Sequence, residues 1–177
     1  MVDFTKNREV IKLVQLSIEE DINQGDPTSE SIFQSSSKGD FSLILKEDAV
    51  VCGLQLFEYV FKKVDPKVKF SSNILEVFQN PGEIGIIEGS IKSILNAERT
   101  ALNFIQRMSG VATETYHLVK LIEDLPVEII DTRKTIPGWR VLDKYSVFIG
   151  GGRNHRMNLG DAILLKDNHL KRISITE

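Results

Sequence analysis

Three short clusters hold most of the residues here that could do chemistry. They are Asp131-Thr132-Arg133-Lys134-Thr135, Gly150-Gly151-Gly152-Arg153-Asn154-His155-Arg156 and Lys166-Asp167-Asn168-His169. Guanidinium forks and ammonium groups grip carboxylates and phosphates through charge-assisted hydrogen bonds. Adjacent Arg133 and Lys134 leave the backbone on different sides, so they can hold two anionic groups, or one of them can face water. Arg156 suits two-point recognition of a carboxylate or phosphate. His155 is neutral or cationic, and an anionic ligand favours the cation. Three successive glycines let the backbone approach a ligand closely or adopt positive φ. Their spacing is neither G-x-G-x-x-G nor a P-loop, and a glycine turn with solvated arginines is the other reading. Between Asp131 and His169 seven Lys and Arg residues face four Asp residues, a net of +3, which leaves −6 for the rest of a chain whose total is −3. Together these residues describe a site for a small polyanion carrying carboxylates, phosphates or both.

The outer two clusters each follow a short apolar run, at residues 127–130 and 162–165. Such runs read as buried parallel strands. Between them, residues 132–140 hold Pro137-Gly138 and read as loop, and residues 141–149 as helix. Strand, crossover and strand in the same sense build an α/β sheet or barrel, with ligands beyond the carboxyl ends of the strands. Upstream, Val10, Leu13, Val14 and Ile18 form the stripe of an amphipathic helix over 8–22, which Asn23-Gln24-Gly25-Asp26-Pro27 breaks. Strand-like runs at 41–46, 49–52, 68–70, 74–78 and 84–88, with a helix over 54–64, make a small α+β unit. From Ser90 a long helix buries Ala97, Ala101, Phe104, Ile105 and Met108 on one face. Arg99, Asn103 and Gln106 fall on the opposite face, where solvation is the simplest reading of Arg99. Ser109-Gly110 is expected to interrupt this helix before a second one reaching about Glu123.

Composition excludes several classes of function. With 41% hydrophobic and 27% charged residues in 177, the chain is neither disordered nor fibrous. A balance of 22 Lys+Arg against 25 Asp+Glu supplies no bulk charge for nucleic acid or membrane. No apolar run reaches the roughly 18 residues of a membrane helix, and Met1 is not followed by a secretory pattern. Cys52, the single cysteine, rules out a disulfide framework, reads as buried and structural, and fits a cytoplasmic protein. His117, His155 and His169 lack metal-ligand spacing, so no metal ligands are expected within the chain. There is no nucleophile elbow. Trp139 and Tyr145 read as packing residues.

Taken in order, Asn96-Ala97-Glu98-Arg99-Thr100-Ala101-Leu102-Asn103, Ser109-Gly110-Val111-Ala112-Thr113, Asp131-Thr132-Arg133-Lys134-Thr135-x-Pro137-Gly138, Lys144-Tyr145, Gly150-Gly151-Gly152-x-Asn154-His155-Arg156 and Leu165-Lys166-Asp167-Asn168-His169 resemble the motifs of the quinolinate phosphoribosyltransferase family. The resemblance runs from about Glu19 to Leu170. It includes Glu20-Asp21 and Gly25-Asp26-x-Thr28, with Pro27 as a departure.

It implies an α/β fold: an N-terminal α+β sandwich-like domain with connecting helix at 1–109, then the first part of an incomplete α/β barrel at 110–177. It also implies transfer of phosphoribosyl from phosphoribosyl pyrophosphate to quinolinate with decarboxylation, giving nicotinate mononucleotide, pyrophosphate and carbon dioxide, a step of NAD biosynthesis. By that resemblance Lys134 and Lys166 act at the reacting centre. Arg133, His155 and Arg156 hold the quinolinate carboxylates, and Thr135 lines the same loop. Arg99 reaches the neighbouring site of a homodimer, and Mg2+ accompanies the pyrophosphate. Family members continue past the position of Glu177 into strands carrying acidic and phosphate-binding residues, so a C-terminally shortened member is expected. Two alternatives stand beside this: a related phosphoribosyltransferase-like protein associated with molybdenum transport, and a non-catalytic dimerising or anion-binding remnant.

Overall fold

The asparagine at position 7 begins the first helix, its side-chain oxygen accepting from the Glu9 and Val10 backbone N–H groups at 3.0 and 3.1 Å. The helix it caps, α1 (Arg8–Ile22), has the bounds its apolar stripe requires and buries Val10 and Val14. The computed structural model describes residues 3–172. In the breaker that follows, the Asp26 carboxylate accepts from the Thr28 and Ser29 N–H groups, both at 3.1 Å. It thereby opens a short helix, α2 (Pro27–Ile32), absent from the sequence reading. Pro27 stands in the first turn, where a missing N–H costs nothing. The segment that ends one helix therefore starts the next.

Three antiparallel strands, β1 (Lys38–Leu45), β3 (Lys69–Ser71) and β5 (Gly82–Ser90), pair in the order β1-β5-β3, with an irregularity between Leu43 and Ile44. A two-stranded ribbon joins β2 (Ala49–Val50) to β4 (Phe78–Gln79). The strand expected over 74–78 is thus confined to its end. Glu76 is used otherwise: its Oε1 accepts from Gly53 and Leu54 N–H at 2.8 and 2.7 Å, capping α3 (Leu54–Val64).

The central element is α4 (Ile91–Leu121), 31 residues without a break. Ser109-Gly110, expected to interrupt it, does not. The Cys52 N–H donates to the Ser109 hydroxyl oxygen at 3.0 Å, and Gly110 lies on the exposed face. A mid-helix glycine costs about 1 kcal/mol, which the burial of Met108 and Ala112 on either side offsets. The apolar stripe of α4 is buried as expected, whereas Arg99, Asn103 and Gln106 are exposed. Phe57 joins this core to the sheet through edge-on contacts with Phe61 and Phe70, at 5.0 and 5.1 Å between centroids.

Beyond α4, α5 (Arg140–Ile149) packs Val141, Leu142 and Tyr145 into the core. The two strands expected to flank it are not formed. Residues 127–130 make one parallel bridge, Ile130 to Arg153, and leave Val127 56% and Ile130 52% exposed. Residues 162–165 form no strand, and Ile163 is 93% exposed. An apolar run becomes a buried strand only where a continued ladder and a covering layer meet it; among the described residues the first run meets a single bridge and the second none. A single turn, α6 (Asp167–Leu170), follows. No helix among the described residues is long and apolar enough to cross a membrane.

Candidate functional site

All three basic clusters meet in one place. Asp131, Thr132, Arg133 and Lys134 from the loop before α5, His155 and Arg156 from the loop after it, and Leu164 and Lys166 from the third segment line a cleft of about 270 Å³. Arg133 and Arg156 each carry a buried Nε with no hydrogen-bond partner. Arg156 ties the third segment to the second, its Nη1 donating to the Ala162 carbonyl at 2.7 Å. The Arg156 N–H donates to His155 Nδ1, also at 2.7 Å. With Nδ1 engaged by that N–H, Nε2 is the ring nitrogen left to meet a ligand. Two sequence-predicted residues do not line the cleft. The Thr135 hydroxyl accepts from Arg140 Nε at 3.3 Å, and Arg99 stands on the exposed face of α4.

Sequence reasoning missed the frame beneath these cations. The Lys144 side chain is 2% exposed and that of Asp131 7%, and Lys144 Nζ donates to Asp131 Oδ1. The same ammonium donates to the His155 carbonyl at 2.8 Å. Asp131 also accepts from the His155 N–H at 2.8 Å and from Asn154 Nδ2 at 2.7 Å. Removing one partner of such a buried pair costs about 3–5 kcal/mol, because the other charge is left uncompensated. Nothing local signals this pair, since Asp131 and Lys144 lie thirteen residues apart in different elements.

The glycine trio serves the scaffold. A Cβ on Gly150 would stand 2.4 Å from the Ala112 carbonyl oxygen, and one on Gly152 2.7 Å from Val147 Cγ1. Gly151 takes φ +91°. These residues let the second loop press against α4 and α5, and no ligand need be invoked for them.

The remaining candidates belong to the core. Tyr145 donates to Glu76 Oε2 at 2.6 Å, and burial first, then that bond, pushes its phenol up. Burial pushes the Cys52 thiol up to about 12, with the Glu76 charge adding to it, so it is no nucleophile. Trp139 stacks on Phe104 at 5.1 Å, and Arg107 lies over its ring at 5.0 Å while pairing with Asp143 at 3.1 Å. Among the described residues no group of three or more His, Cys, Asp or Glu is placed to hold a metal ion.

The motifs that frame this cleft match known proteins along nearly the whole chain. The family described as quinolinate phosphoribosyl transferase, N-terminal domain, matches residues 26–109, and its C-terminal domain matches residues 111–177. The chain belongs to this family. A relative from Nicotiana glauca, "Quinolinate phosphoribosyltransferase [decarboxylating] 2, mitochondrial", is 40% identical over 167 residues, covering 90% of this chain and 46% of the relative. The structure of NadC from Streptococcus pyogenes superposes with a TM-score of 0.88 at 38% identity, over 92% of this chain and 59% of that one. The nicotinate-nucleotide pyrophosphorylase of Francisella tularensis gives 0.88 at 38%, over 97% and 62%. The chain therefore spans about half the length of the curated relatives it matches. Its mixed α/β architecture, a small sheet domain with helices, matches that of quinolinate phosphoribosyltransferases.

Proposed function

We propose that the cleft is the quinolinate-binding part of a phosphoribosyltransferase site. The observation that carries this reading is the convergence of Arg133, Lys134, His155, Arg156 and Lys166 on one cleft in a chain of net charge −3. Quinolinate bears two adjacent carboxylates, and cations on two separate loops match two adjacent anionic groups. Arg133, His155 and Arg156 hold the carboxylates, and Lys134 and Lys166 act at the reacting centre. Thr135, through its bond with Arg140, shapes the first loop. Arg99 enters the cleft of a partner subunit in a homodimer. The division of the chain at residues 109 and 110 belongs to the same proposal, although α4 crosses it unbroken.

In this reaction the pyridine nitrogen attacks ribose C1 of phosphoribosyl pyrophosphate. The C1–oxygen bond breaks, and its electron pair leaves on pyrophosphate. The bond from C2 to its carboxylate then breaks, carbon dioxide departs, and the electron pair on C2, stabilised by the adjacent positive nitrogen, takes up a proton. The protein's part is to bind, orient and offset negative charge. Magnesium is expected to accompany the pyrophosphate, and among the described residues no cluster of His, Cys, Asp or Glu is placed to hold it. We take the cytoplasm as the setting, in keeping with a free, buried cysteine.

The test is product formation. Incubated with quinolinate, phosphoribosyl pyrophosphate and magnesium, the chain is expected to yield nicotinate mononucleotide above the protein-free rate, followed by chromatography. Quinolinate binding without product would leave the anion-binding reading and remove the transfer.

A further inference from the structure

Three cationic side chains and an imidazole crowd the cleft from two loops, Arg133 and Lys134 on one and His155 and Arg156 on the other. Little backbone joins these loops. The parallel bridge between Ile130 and Arg153 contributes two hydrogen bonds, Asp131 N–H to the Arg153 carbonyl at 3.0 Å and Arg153 N–H to the Ile129 carbonyl at 2.8 Å. Like charges on both sides push the loops apart until an anion arrives.

We infer that Lys144 is a positioning residue that, clasped with Asp131 and Asn154, sets the gap between the Arg133 loop and the His155 loop and so the preference for two adjacent carboxylates over one. This rests on the cleft taking a pyridine dicarboxylate. Lys144 does not line the cleft, yet its ammonium bridges the loops by donating to Asp131 of the first and to the His155 carbonyl of the second. Asn154 repeats the bridge, its Nδ2 donating to Asp131 Oδ2 at 2.7 Å and to the Lys144 carbonyl at 2.8 Å. The His155 N–H closes the ring on Asp131. Because α5 is packed on the core, the clasp refers both loops to one rigid element. A single carboxylate needs only one loop in place, whereas a vicinal pair needs the spacing.

The test pairs Lys144→Met with the double variant Asp131→Asn/Lys144→Met, which removes both buried charges at nearly constant volume and so stays folded if the single variant does not. Two readouts are taken on the full chain. Amide exchange at His155, whose N–H donates to Asp131, is expected to be slow in the wild type and to rise at least tenfold in the double variant, with α4 amides unchanged. Affinity for quinolinate is expected to fall at least tenfold, while that for pyridine-3-carboxylate changes less than threefold, so that the ratio of the two collapses. A merely structural role would weaken both ligands equally or neither. Unchanged exchange with an unchanged affinity ratio would overturn the clasp. If the wild type binds neither pyridine acid, the quinolinate reading fails and the discrimination claim is overturned with it. A rise in His155 exchange in the double variant would then still support the clasp as the tie between the loops.

Discussion

The body built from β1, β5, β3, α3 and α4 holds most of the buried apolar core, with Ile44, Ile86, Leu118 and Leu121 left exposed, whereas the stretch after residue 126, apart from α5, leaves most of its apolar side chains in solvent. Phe57, Leu56 and Ala101 vanish from the surface, but Val127, Ile163 and Leu165 stand largely on it. The cationic cleft lies in the second region, and what organises it is polar: one buried carboxylate with three donors and one buried ammonium. Apolar burial is non-directional and scales with area, so it fixes a body without fixing which side chains meet. Hydrogen bonds to a charge are directional and set positions at modest cost in area. The contrast teaches that stability and site geometry reside in different interactions here and can be perturbed separately.

The largest break falls on the body. Phe57→Ala removes a side chain that contacts both Phe61 and Phe70 and is expected to cost about 3–5 kcal/mol, read from urea unfolding. Ligand binding should be lost with the fold. Gly150→Ala is next and strikes the seam between the regions. Its Cβ would meet the Ala112 carbonyl oxygen at 2.4 Å, so the second loop must lift from α4. A cost of about 1–3 kcal/mol is expected, with a loss of quinolinate affinity beyond what the stability change explains. The smallest effect concerns a half-buried group at the edge of the body. The Lys67 N–H, and then the Ser93 hydroxyl, hold the Asp65 carboxyl below its usual value of 3.8. A pKa lowered by folding contributes stability above the unfolded value, and that contribution disappears as pH falls through the folded one. Asp65→Asn should therefore be slightly less stable than the wild type at neutral pH and indistinguishable from it in strong acid, with quinolinate affinity unchanged throughout.

Legibility in the sequence followed the same divide. The bounds of α1 and α3 could be read from an apolar period closed by polar breakers, because both features are local. The helix break at Ser109-Gly110 was misread because the hydroxyl of Ser109 finds the Cys52 backbone, a partner 57 residues away. The run ending in Pro27 reads as a breaker, yet Asp26 before that proline caps a new helix. The runs at 127–130 and 162–165 carry strand composition, but pairing is a property of neighbours, and apolar content alone cannot supply a ladder. At the site, the basic residues stand in short motifs that charge alone makes visible, and the structure brings five of the seven expected site residues to the cleft. The Asp131–Lys144 pair had no such signal: a buried lysine looks like any other until its partner is known.

The central claim is that the cleft holds a dicarboxylate through Arg133 and its neighbours, and calorimetric titration of quinolinate into the wild type and into Arg133→Ala tests it most directly. The account predicts saturable binding to the wild type and an affinity roughly tenfold lower or worse in Arg133→Ala, the loss of one charge-assisted contact. Equal affinity in the two proteins, with both folded, would contradict it.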